Sequence, residues 1–206
     1  MKTRLLIITT LFIFSFAKAQ QVEVIEVVEV NSAKGVTFEQ GDMFIEGSIK
    51  ISTGGDEDYY GFNPKFGYFL NNRFAVGGEI SYSNLENEAE EEKTNVFGIG
   101  AFARYYFLEV DSRRFKAYAE AGLGFGRNKT EISGIEDTDN SITANINVGL
   151  NYFITKNLAA TFVLANVLSY NNVSPEDGPS ANTFQLNINL FENIFDQPQF
   201  GLLYRF

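Results

Sequence analysis

An all-β fold, eight antiparallel strands in up-and-down order closed into a transmembrane barrel, is predicted by three observations. Apolar and polar residues alternate in short segments from Met43 to Phe206. The connections between those segments are by turns short and long. Beyond the N-terminal region no uninterrupted apolar run approaches the roughly 20 residues that a spanning helix requires.

The N-terminus is read first because it decides which residues the fold must account for. Lys2 and Arg4 precede an apolar run from Leu5 to Ala17, and Ala17, Lys18 and Ala19 end it in a small-x-small pattern. Residues 1–19 therefore read as a cleaved signal peptide, since the run is too short to span a bilayer as a helix. The mature chain would begin at Gln20, and loss of Lys2, Arg4 and Lys18 takes the net charge from −10 to −13. Such an acidic chain has no nucleic-acid partner. The sequence contains no cysteine, which excludes disulfides, thiolate metal sites and a lipid-modified N-terminal cysteine. Nor does it contain histidine, the commonest general base and metal ligand. No catalytic, cofactor or metal residue is assigned.

The strands follow in order, each splitting into two faces because successive side chains point to opposite sides of a sheet. The first sets Met43, Ile45, Gly47, Ile49 and Ile51 outward against Phe44, Glu46, Ser48 and Lys50. The second sets Tyr60, Phe62, Pro64, Phe66, Tyr68 and Leu70 against Gly61, Asn63, Lys65 and Gly67. In the third, Phe74, Val76, Ile80 and Tyr82 oppose Ala75, Gly77, Glu79 and Ser81. The fourth places Phe97, Ile99, Ala101, Ala103, Tyr105 and Phe107 outward and Gly98, Gly100, Phe102, Arg104 and Tyr106 inward. The fifth opposes Phe115, Ala117, Ala119, Ala121, Leu123 and Phe125 to Lys116, Tyr118, Glu120, Gly122, Gly124 and Gly126. The sixth opposes Ile142, Ala144, Ile146, Val148, Leu150 and Tyr152 to Thr143, Asn145, Asn147, Gly149 and Asn151.

Strand seven, Leu158 to Tyr170, is less regular because Val163 and Val167 interrupt the polar set; Leu158, Phe162, Leu164 and Leu168 are taken as outward. The eighth runs from Thr183 to Phe206 with an interruption around Asn193 to Pro198, and both halves keep even-numbered residues apolar: Phe184, Leu186, Ile188 and Leu190, then Phe200 onward. A bulge or short excursion that preserves parity would account for this.

Alternation alone leaves open a soluble, lipocalin-like ligand-binding barrel with the apolar set inside. The polar set favours lipid outside: it is rich in Gly, Asn and Ser, as suits a narrow, filled interior, and poor in the charges of a water-facing surface. Its charges nearly balance, with Lys50, Lys65, Arg104, Lys116 and Arg205 against Glu46, Glu79 and Glu120. A salt-bridge network inside a plugged lumen is expected, because buried charges must be paired.

The odd turns, Asn71 to Arg73, Glu109 to Arg114 and Thr155 to Asn157, are short and carry basic groups. The even connections 53–58, 84–94, 127–140 and 171–182 carry 14 acidic residues against three basic ones, Lys93, Arg127 and Lys129. Short turns face the periplasm in such barrels, which would make the acidic loops extracellular.

The signal ending Ala19-Gln20, the segment from Phe66 to Gly78 (FGYFLNNRFAVGG) and the ending from Phe200 to Phe206 (FGLLYRF) resemble the small bacterial outer-membrane β-barrel family, OmpA/OmpX-like barrels of the porin-family β-barrel domain type. The resemblance covers residues 42–206 and implies a Gram-negative outer-membrane location. It also implies that the barrel assembly machinery of that membrane reads the terminal strand at Phe206. Members have diverse roles, so it carries no functional residue over. An OmpA-type peptidoglycan-binding domain is not expected, since the chain ends with the barrel. Membrane-barrel hydrolases and acyltransferases generally use histidine, so this chain is not expected to be an enzyme.

Residues 20–41 form an N-terminal periplasmic segment, as a tail or an added short strand. Its alternating Val and Glu from Val22 to Val30 resemble a TonB box only loosely. Asp56, Asp58 and Gly61 match three positions of a calcium loop, but Tyr60 and Gly67 stand where oxygen ligands are needed. Three functions remain: a structural or surface-interaction barrel presenting acidic loops to partners or cations, a narrow porin-like channel for small solutes, and the soluble ligand-binding barrel.

Overall fold

A computed structural model describes residues 33, 35–54, 57–87, 89, 91–110, 114–175, 178–186 and 199–206. The signal peptide, the Val/Glu stretch and the outward candidates Ile188 and Leu190 lie outside the described residues. The described chain forms one antiparallel sheet of β1 (Met43–Gly54), β2 (Glu57–Phe69), β3 (Phe74–Asn87), β4 (Glu92–Val110), β5 (Phe115–Ile132), β6 (Ile135–Phe153), β7 (Leu158–Pro175), β8 (Ala181–Leu186) and β9 (Gln199–Arg205). Consecutive strands pair from β1 to β7, and β9 lies between β7 and β1, so the sheet returns on itself. Met43 and Phe206 seal the closure by exchanging backbone N–H···O bonds of 3.1 and 2.9 Å.

β8 and β9 together supply the eighth stave, since both pair with β7. Phe184 and Leu186 stand opposite Tyr170 and Leu168, and Phe200, Leu202 and Tyr204 opposite Phe162, Ala160 and Leu158, so the even-numbered residues of both pieces share the outward face.

The apolar set is outside on every stave. Ile45, Ile49, Phe62, Ile80, Ile99, Leu123, Phe125, Ile142 and Leu202 are all exposed, while Glu46, Ser48, Arg104, Lys116, Glu120 and Asn151 are buried. This overturns the lipocalin-like alternative, in which the apolar face would be the core. An exposed apolar belt of this extent requires lipid. On β5 it runs eleven residues, from Phe115 to Phe125. At about 3.3 Å per residue and a tilt near 40°, the ten steps between them rise about 25 Å, the height of a barrel's apolar band. Glycines on the inner face make room for rings: a Cβ at Gly67 would lie 2.2 Å from the Phe44 ring, and one at Gly149 2.2 Å from Tyr118.

Pro64 sits mid-strand without a donor, and the β2–β3 pairing is interrupted at Asn63 and Pro64. The Asn63 side chain covers the gap by donating from Nδ2 to the Ile80 carbonyl at 2.9 Å. At the short turns, Asn71 Oδ1 accepts from the backbone N–H groups of Arg73 and Phe74, 2.9 Å each, and Thr155 Oγ1 accepts from Leu158 N–H at 3.0 Å.

Two expectations are corrected. Leu164 is not outward. The β6–β7 register slips once between Ile146 and Asn147 and again between Val148 and Gly149, so β7 carries extra residues at Leu164 and Val167, and Leu164 lines the lumen. The connections read as loops are mostly strand: β3 and β4 pair as far as Asn87 and Glu92, and β5 and β6 as far as Ile132 and Ile135. Cross-strand pairs such as Thr94 with Thr130 continue the ladder beyond the apolar belt, so its ends are hairpins.

Parity and depth together set a mutational expectation. Ile146 lies outward at mid-belt, in register with Ala121, whereas Phe97 is at its edge. Ile146→Arg should lower barrel stability by about 2 to 4 kcal/mol, and Phe97→Arg by about 0 to 1. Equal losses in urea unfolding from lipid vesicles would refute the depth assignment.

Candidate functional site

The bore of the barrel is where the sequence concentrates charge, and the strand register brings five of the eight predicted inward charges together. Glu46 stands opposite Lys65, Lys65 opposite Glu79, and Arg104 opposite Glu120. Arg104 is fully buried and grips Glu46 with both terminal nitrogens, at 2.7 and 2.9 Å. Its Nε donates to Glu120 at 2.7 Å. Lys65 bridges Glu120 to Glu79, lying 3.0 Å from the latter. The guanidinium also lies 4.1 Å over the Tyr118 ring. Five side chains from five strands thus cross the bore in a chain of charge-assisted hydrogen bonds, the geometry that makes buried charge tolerable.

The other three predicted charges go elsewhere. Lys50 lies nearer the long-hairpin end, 5.0 Å over the Tyr59 ring. Lys116 pairs with Glu109 at 2.7 Å. Arg205 reaches Asp42 at 3.3 Å and donates to the Thr37 carbonyl. Glu109 is a partner that the alternation hides. A bulge at Phe107 changes parity, so Glu109 stands opposite Lys116 on the inner face.

Toward the short-turn end the bore is filled by rings. Phe44, Phe69, Phe102, Tyr106, Tyr118 and Phe153 are all buried. They are joined by Phe38, from the segment before β1, which stacks on Phe69 at 4.1 Å and meets Tyr106 at 4.8 Å. Backbone bonds from Gly41 N–H to the Phe69 carbonyl, 3.0 Å, and from Phe69 N–H to the Asp42 carbonyl, 2.8 Å, fasten that segment to the rim. Sequence reasoning missed Phe38; the signal available was the apolar pair Val36 and Phe38, both of which are buried. Toward the long-hairpin end, a polar cavity of about 610 Å³ opens above the network, lined by Lys50, Asn63, Glu79, Asn145, Asn147 and Gln185 among others.

Among the described residues no group of three or more Asp or Glu side chains is placed to hold a metal ion. The acidic residues at the long-hairpin end are instead spread along the hairpins, with Glu86 paired to Lys93 and Glu136 to Lys129. Asp56 of the calcium-loop pattern lies outside the described residues.

Comparison with known proteins agrees with this architecture. The family described as "Outer membrane protein beta-barrel domain" matches residues 11–190. Among solved structures, Neisserial surface protein A is similar at 18% identity and a TM-score of 0.51, over 80% of this chain and 96% of its own. A major outer membrane protein from Thermus thermophilus is similar at 10% identity and a TM-score of 0.51, over 81% of this chain and 99% of its own. At these identities the likeness is one of fold. No curated protein matches the chain.

Proposed function

The chain belongs to the outer membrane β-barrel family and is a protein of that membrane, and from this premise we propose a structural or surface-presenting barrel whose bore is closed to solutes. The observation that carries the reading is the buried layer formed by the Arg104 network and the rings beneath it. An eight-stranded barrel is just wide enough for side chains to fill, and here the filling includes charges whose rearrangement would break several strong hydrogen bonds at once. With short turns toward the periplasm, the acidic hairpins stand on the cell surface, where they meet cations or basic partners. The assembly partner is the outer-membrane barrel machinery, engaged through the closing strand β9 and Phe206, whose backbone completes the ring with Met43.

Purified protein in planar lipid bilayers tests the closed bore. Ionic conductance should stay at the bilayer background across the usual range of voltage. Steady single-channel steps would replace this reading with a narrow porin-like channel entered through the polar cavity.

A further inference from the structure

The long-hairpin end is acidic, yet its three basic residues Lys93, Arg127 and Lys129 all sit on the outward parity of β4 and β5. Arg127 follows Phe125 by two residues on the same face and stands opposite Phe97, which stands opposite Tyr82. Since the apolar belt of β5 ends at Phe125, Arg127 and Lys129 lie one and two steps beyond it, at the depth of lipid headgroups. A groove of about 510 Å³ runs there, lined by Tyr82, Asn95, Phe97, Arg127, Lys129, Glu136 and Thr138, with the Glu136 carboxylate paired to Lys129.

The basic groups at this end are unequally committed, and Lys93 lies outside the groove. Lys93 is paired to Glu86, and Lys129 lies 2.7 Å from Glu136. The Arg127 side chain is exposed and has no hydrogen bond or ion pair among the described residues. Asn95 accepts through Oδ1 from both Tyr82 Oη, 3.2 Å, and Asn84 Nδ2, 3.1 Å, and this fixes its amide and leaves Nδ2 as a donor. We propose that this groove on the outer wall binds the phosphate of an anionic membrane lipid. Arg127 is the principal contact, Lys129 and Asn95 assist, and the acyl chains lie along Phe125, Leu123 and Ile99. The guanidinium fork suits phosphate oxygens, and its stem crosses the aromatic edge of the belt to reach them. Charge complementarity argues for an anionic occupant, and the apolar belt directly below argues for a lipid rather than a dissolved anion. The inference is independent of whether the bore conducts.

Native mass spectrometry of the protein released from nonionic detergent, with phosphatidylglycerol, phosphatidylcholine or inorganic phosphate as the added probe, tests it. Phosphatidylglycerol should be retained in preference to phosphatidylcholine, and millimolar phosphate should not displace it. Together, Arg127→Gln and Lys129→Gln should weaken that retention about 30-fold. Arg127→Lys should keep part of it, and Lys93→Gln should leave it unchanged. Arg127, Lys129 and Lys93 are all exposed, and circular dichroism of each variant establishes that the barrel is intact. Unchanged retention in the double variant, an equal loss in Lys93→Gln, or displacement by phosphate would each overturn the proposal.

Discussion

Arg104→Gln alone should lower the stability of the barrel by about 3 to 5 kcal/mol, the cost of leaving a buried carboxylate without its cation. The network shows which carboxylate suffers. Glu46 receives two hydrogen bonds, both from Arg104, and has no other ion-pair partner among the described residues. Glu120 is shared with Lys65 and keeps that contact when Arg104 is gone. Adding Glu46→Gln should therefore recover more of the loss than adding Glu120→Gln, although Glu120 is the residue directly across the β4–β5 ladder. Urea unfolding in lipid vesicles of the parent, the three single variants Arg104→Gln, Glu46→Gln and Glu120→Gln, and the two double variants gives the coupling energies. Purely additive effects, or equal recovery from the two second substitutions, would show that water enters the bore and that the charges do not act as one network.

The same five residues show how much of the interior was legible in the sequence. Parity alone put Glu46, Lys65, Glu79, Arg104 and Glu120 on the inner face, because lipid on one side and a filled bore on the other leave a sharp contrast between the two. Parity also put Arg104 and Glu120 on the inner faces of neighbouring strands, but their direct opposition depends on the bulge at Phe107, which lies between them and the turn before Phe115. What escaped were the places where one residue is added. The bulge at Phe107 brings Glu109 inward to Lys116, and the two slips in β7 turn Leu164 into the lumen. A bulge is a backbone event that leaves little trace in hydropathy. Hairpin length escaped for another reason. Once a strand leaves the apolar belt both of its faces meet water, so β3 beyond Tyr82 and β5 beyond Phe125 have the composition of loops although their pairing continues.

Phe38→Ala is the second substitution with a large expected effect, and it separates the two layers that close the bore. Phe38 is 2% exposed and lies within 6 Å, centroid to centroid, of Phe69, Tyr106 and Phe153. The Lys116 ammonium lies 4.8 Å over its ring. Truncating a buried phenylalanine costs about 3 to 5 kcal/mol through lost contacts and the cavity left behind. Thr37→Ala, on the exposed neighbour whose carbonyl rather than side chain receives Arg205, should change stability by less than about 0.5 kcal/mol. The decisive measurement is conductance in the same Phe38→Ala protein. With Arg104, Glu46, Glu120 and Lys65 still spanning the bore, the variant should be less stable and remain closed. Steady conductance after loss of this single ring would instead make the N-terminal segment the barrier and leave the salt-bridge layer permeable.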